Sequence, residues 1–384
     1  MKKRQFKILI LFLFLHLSVS AQRHHVYMNW HNEGEKEKVF ELWNQYLTQK
    51  DHLDTFWSSY DKKTYKGIDL LKDNVGFNGG LYKFKFDCNV LSITDIGEGY
   101  IIKSALYFIQ EDSAIKNRFS LLAIINVLAK KENGNFKLSN YINYSTANWN
   151  VKRVGIIKYH YPAIYPFNIF NAQKANVFLD SLEKWFNFSV DTINYYIPIN
   201  CSEGLKMAGF EYYLIEGQTL NLCGFYDPTN NIVYSYAISG ECYKHELIHQ
   251  INRLYPTANS YLLAGIAAYI DDDGQAGESE KFHLKRYLKY LKDHPADFND
   301  FYNINYVDDV TSPIYIFGAV ICNALLKKGG MLLLKEALQN TRTDEQLVSF
   351  LKATFKIDDL NIFFNVQFKI FLDQPSVLLT TENN

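Results

Sequence analysis

Residues 245–249 read His-Glu-Leu-Ile-His. Two histidines four positions apart on a helix project from one face, about one turn apart, and can close on a single zinc ion. At ~100° per residue, Glu246 falls on the flank of that face. A carboxylate there reaches a metal-bound water as general base instead of joining the metal. Leu247, Ile251 and Leu254 fall on the opposite side. They predict a helix from 241 to about 254, buried on its back and reactive on its front. The competing reading is a core helix that carries two hydrogen-bonded histidines.

The flanking sequence says what must hold these residues. Residues 219–226 and 231–238 alternate in hydropathy around Asp227-Pro228-Thr229-Asn230, the pattern of a β-hairpin. The predicted helix follows at once. Beyond it, Tyr261-Leu262-Leu263-Ala264-Gly265-Ile266-Ala267-Ala268-Tyr269 predicts a second helix after a loop that contains Pro256. This succession resembles the gluzincin-type zinc peptidases called peptidase MA-like, whose second metal helix reads roughly W-L-x-E-G-x-A-x-Y. The similarity spans about 155–370, with its specific part at 245–250. It implies a zincin-like domain, zinc as cofactor, a peptide or protein substrate, and an edge strand of the hairpin that pairs with extended substrate.

One position departs from that pattern. Where the family places its third zinc ligand, this chain has Ala264. A catalytic zinc site needs three protein ligands and an open water position, and alanine supplies none. Ala268, one turn on, supplies none either. Asp271, Asp272 and Asp273 follow, but Asp271 lies about 10 Å along a regular helix from Ala264. His160, His283 and His294 are further donors without a spacing argument, and Tyr315 is similar to a transition-state hydrogen-bond donor.

Elsewhere the elements are structural. Val39, Phe40, Trp43, Tyr46 and Leu47 form the apolar stripe of a helix over 35–50. Strand-like stretches follow at 81–91, 100–110, 119–129 and 136–145, the last two joined through Asn133-Gly134, a tight hairpin turn. A helix on a curved antiparallel sheet loosely resembles the nuclear-transport-factor-like fold. His24, His25, His31 and His52 there read as solvated. The second half predicts a helix at 171–186, a strand at 192–199 and a helix at 202–209. Ser312-Pro313 starts a further helix that Gly329-Gly330 stops, and Thr343 to Gln346 form a capping box.

The chain has 384 residues with 40 basic and 41 acidic side chains, which gives nucleic acid no basic footprint. Lys2, Lys3, Arg4 and Lys7, an apolar run over 8–17 and Val19-Ser20-Ala21 read as a signal peptide cleaved before Gln22. Its removal takes four basic and no acidic residues, so the net charge goes from −1 to −5. No later stretch reaches about 18 consecutive apolar residues, so no transmembrane helix is expected after cleavage. Five cysteines leave at least one free thiol; a Cys223–Cys242 bridge and buried free thiols both fit.

The expected fold class is α+β. Residues 1–21 are the leader, 22–150 an N-terminal α+β domain, 151–273 a zincin-like subdomain and 274–384 a mainly helical lobe. Three functions stay open. The first is an exported, periplasmic or extracellular zinc metallopeptidase with His245 and His249 on the metal and Glu246 as base. The second is a degenerate relative that holds zinc weakly or not at all and binds peptides or proteins without cleaving them. The third is a structural envelope protein. Oligomeric state is not legible.

Overall fold

The computed structural model describes residues 26–28, 33–49, 53–65, 86–110, 118–213, 224–270, 278–304, 306–308 and 310–373. The leader, His24, His25, His31, His52, Cys223 and Asp271–Asp273 lie outside them. The described chain is mixed α+β with two sheets, and it divides into two compact units. The first holds residues 1–64, 68–141 and 209–217; the second holds 65–67, 142–208 and 218–384.

In the first unit the helix Glu35–Thr48 buries Val39, Trp43, Tyr46 and Leu47, the face its spacing predicts. Trp43 donates its indole N–H to Ser104 Oγ at 2.9 Å, so this buried ring leaves no donor unpaired. Its sheet runs Val26–Met28, Asp87–Asp95, Tyr100–Gln110, Arg118–Glu132, Asn135–Ser139. Asn133 and Gly134 both have positive φ, as the hairpin turn between the last two strands requires.

Three expectations need correction here. The sheet is not wholly antiparallel, because Val26–Met28 pairs parallel to Asp87–Asp95. The stretch 136–145 is a strand only as far as Ser139; Ile142–Ser145 is a helical turn of the second unit, tied by Ser145 Oγ donating to Met207 O at 2.7 Å. The division also differs from an edge at 150: strand Phe210–Tyr213 pairs with Arg118–Glu132 over 123–125 and belongs to the first unit.

The second unit carries a five-stranded mixed sheet in the order Phe225–Asp227, Ile232–Tyr234, Ile193–Tyr196, Ile157–Tyr161, Asn150–Val154. Its two outer pairs are antiparallel and its two inner pairs parallel. The predicted turn is an Asx turn, with Asp227 Oδ1 accepting from the amides of Thr229 and Asn230. The helix Ile169–Phe186, capped by Asn168, packs Leu179, Leu182 and Phe186 into the core.

The helical lobe follows its punctuation closely. Helix Pro313–Asn340 starts after Ser312 and loses helical geometry at Gly329 and Gly330, the predicted stop, before resuming. It is long and apolar enough to cross a membrane by length and composition only, and 61% of that apolar window is buried inside the protein. Thr343 and Gln346 form the predicted capping box. Cys88, Cys242 and Cys322 are not disulfide-bonded, whereas Cys201 is, so Cys242 does not take part in the Cys223–Cys242 bridge.

Candidate metal centre

The second sheet builds the entry to the site. Tyr159 and Tyr195, on neighbouring strands, reach the loop before the motif: their hydroxyls donate to Glu241 O at 3.0 Å and Gly240 O at 2.9 Å. The Tyr195 oxygen in turn accepts from the Tyr243 amide at 3.1 Å. The buried Glu241 carboxylate accepts from the Asn168 amide at 2.5 Å, which fixes the loop to the start of helix Ile169–Phe186. With its backbone spent on these partners, the segment 241–243 does not form the first helical turn expected of it.

The motif helix is therefore short, Lys244–Ile248, and passes into a 3-10 turn, His249–Arg253. Leu247 and Ile251 are fully buried as predicted, but Leu254 is exposed. Three residues per turn instead of 3.6 shifts the phase of everything after Ile248. Gln250 on that turn is buried and donates its side-chain amide to Asn231 Oδ1 at 2.7 Å. Asn231 also accepts from Tyr226 O–H, so the hairpin and the motif are bolted together.

The His245 and His249 rings stand 5.3 Å apart between centroids and nearly perpendicular. Two imidazoles that share one tetrahedral zinc at about 2.0–2.1 Å place their centroids about 5 Å apart, so the pair fits that ion. Burial pushes the pKa of His245 down to about 3, helped by His249, and that of His249 down to about 4. Both rings are thus neutral, the state a metal ligand needs. His249 Nδ1 is buried and meets no hydrogen-bond partner.

Glu246 is buried beside them. Tyr315, from the helix Pro313–Asn340, lays its ring edge-on to His245 at 5.6 Å. Burial first, then the charges of Glu246 and Glu280, raise the Tyr315 pKa to about 12. Tyr243 stacks on His245 from another side at 6.0 Å. A Cβ on Gly224 would lie 2.1 Å from the Tyr243 ring, so the start of the outer hairpin strand rests directly on this tyrosine.

Helix Ser260–Ile270 packs against the motif helix and its 3-10 turn. It carries Ala264, half-buried and without a donor atom. Among the described residues, no group of three or more His, Cys, Asp or Glu side chains could hold a metal. The other histidines are placed otherwise. His160 stacks on Tyr196 in the sheet, His283 meets Thr311 Oγ1 at 3.1 Å, and His294 stacks on Tyr290 at an exposed position. Sequence reasoning missed Glu280, Tyr243 and Asn252. Only Glu280 had a local signal, Ser279 as the cap that precedes it.

No family model matches the chain. No curated protein matches it either. Among solved structures it is similar to an M1 zinc metallopeptidase from Deinococcus radiodurans, with 14% identity and a TM-score of 0.30 over 76% of this chain and 64% of that one. A mutant of that enzyme gives the same identity and TM-score, over 76% and 65%. A two-domain M1 zinc metallopeptidase mutant bound to L-arginine gives 14% and 0.31, over 76% and 63%. The chain thus spans just under two thirds of the length of each of them.

Proposed function

We propose that this chain is an exported, zinc-dependent, metallopeptidase-like protein in which His245 and His249 hold the metal. The observation that carries the reading is convergence: Tyr315, distant in sequence, comes to the His245 ring and feels the charge of Glu246. A bound zinc ion would supply an activated water and polarise a peptide carbonyl. Glu246 would then be the base that takes the proton of the attacking water and passes it to the leaving amine. Tyr315, kept protonated through neutral pH, donates its O–H to the oxygen on which negative charge develops. The strand Phe225–Asp227 is the outer one of its sheet among the described residues, the position from which a backbone edge would pair with an extended peptide. Peptides or proteins are the substrate class.

The basic, apolar and small-residue succession of residues 1–21 supports export, and the disulfide at Cys201 suits an oxidising compartment. N-terminal sequencing of protein from its own host should give Gln22; a retained Met1 would oppose export.

Ala264 favours a second reading, a catalytically degenerate relative that binds peptides without cleaving them. One experiment separates the two. Zinc content by mass spectrometry and hydrolysis of a broad peptide library are measured on wild type, Glu246→Gln and Tyr315→Phe. A peptidase loses hydrolysis in Glu246→Gln with zinc content retained, and Tyr315→Phe loses about 10²–10³ in turnover. Peptide binding without hydrolysis in wild type selects the degenerate reading, and zinc-free wild type in zinc-supplemented buffer overturns the metal site itself.

A further inference from the structure

We propose that Asn252 is a positioning residue for the metal site: its side-chain carbonyl takes the Nδ1 proton of His249 and leaves Nε2 as the lone pair offered to a metal. This rests on the zinc-site reading above and deepens it. Two observations point to it. His249 Nδ1 and Asn252 Oδ1 are both buried side-chain atoms that meet no partner with hydrogen-bond geometry. They also share the 3-10 turn His249–Arg253 at positions i and i+3. Side chains three apart eclipse one another in a 3-10 turn, whereas a regular α-helix would offset them. The change of helix type after Ile248, which exposes Leu254, is therefore what brings Asn252 into line with His249.

Chemistry completes the pairing. A neutral imidazole carries one N–H, and the hydrogen bond made by one ring nitrogen decides which nitrogen is left to bind a metal. A buried donor or acceptor left unpaired is costly, so one shared hydrogen bond relieves both atoms. Gln250, the other buried amide on the turn, has its donor committed to Asn231 and its place fixed against the hairpin.

The test uses the full mature chain. Long-range ¹H–¹⁵N spectra of zinc-free protein report the His249 tautomer, and chelator competition reports the affinity for zinc alone. Wild type should carry its proton on Nδ1. Asn252→Leu should move it to Nε2 and weaken zinc binding 10–100-fold, the usual effect of losing a partner to a ligating histidine. Asn252→Asp keeps an acceptor and should keep both the tautomer and most of the affinity. Wild type with the proton on Nε2 overturns the proposal. So does an Asn252→Leu protein with unchanged affinity, or an Asn252→Asp protein as weak as Asn252→Leu. Wild type that binds no zinc at all would refute the metal reading, while the tautomer measurement would still decide the role of Asn252.

Discussion

Gly265 and Gly318 meet backbone to backbone: a Cβ on Gly265 would lie 2.1 Å from the carbonyl carbon of Gly318. A Cβ on Gly318 would lie 2.2 Å from the carbonyl oxygen of Tyr261. This contact sets the depth and phase at which helix Ser260–Ile270 lies on helix Pro313–Asn340. The first carries Ala264 next to the contact, and the second carries Tyr315 one turn before it. A position that would suit any small residue by propensity is thus reserved for one without a side chain.

Gly265→Ala should accordingly cost about 1–3 kcal/mol or more, since overpacking against backbone cannot be relieved by a rotamer change. Urea denaturation measures it. The double variant with Gly318→Ala should cost less than the sum of the two, because both act on one contact. Full additivity would show that the helices do not meet here.

Ala264→Glu places a carboxylate where the resemblance puts the third ligand. If helix Ser260–Ile270 presents that position to the histidine pair, zinc affinity should rise by about 10–100-fold at least, by comparison with the losses seen when mere supporting partners are removed. Chelator competition on purified protein checks it. No change in affinity would mean that position 264 is turned away from His245 and His249.

Gln250→Ala removes the amide that ties the motif to Asn231 of the hairpin. The loss leaves a buried acceptor with one partner fewer, and about 1–3 kcal/mol is expected, visible as a lower denaturation midpoint at unchanged m-value.

Acid should weaken the second unit through His160. Burial pulls its pKa down to about 4, with Lys158 adding to the shift and Asn194 opposing it. The unfolded imidazole titrates near 6.5, so below that pH the unfolded chain binds a proton that the folded chain refuses. Stability from this group is full above about pH 6.5 and declines as pH falls toward 4. His160→Phe preserves the stack on Tyr196 and should lessen the slope of melting temperature against pH across that window, leaving the part contributed by His245 and His249, which burial depresses in the same way; an unchanged slope would assign the acid sensitivity to those other groups.

Local signals in the sequence carried well into the structure. The stripe of helix Glu35–Thr48, the Asn133-Gly134 turn, the Thr343 capping box and the Gly329-Gly330 break each depend on residues within one or two turns of one another. What escaped depends on partners far along the chain. Parallel pairing of Val26–Met28 leaves no mark in alternation, and the helix ahead of His245 was cut short by tyrosines some fifty to eighty residues upstream. Tyr315 was one tyrosine among 28 until the fold set it beside His245. In the site, residue types revealed the histidine pair, but not the switch to 3-10 geometry that follows it.

The strand Phe210–Tyr213 has a kinetic consequence. It covers residues 123–125 on the same edge of strand Arg118–Glu132 that Asn135–Ser139 covers further along. At about 5–20 residues per second of synthesis, it leaves the ribosome several seconds after that neighbour. Throughout this interval the nascent sheet holds a row of unpaired amides and carbonyls, open to any other extended segment. A chain truncated before 210 would keep that gap permanently. Proteolytic trimming or shortened expression should therefore give a first unit prone to self-association, even though all five strands ahead of the gap are present.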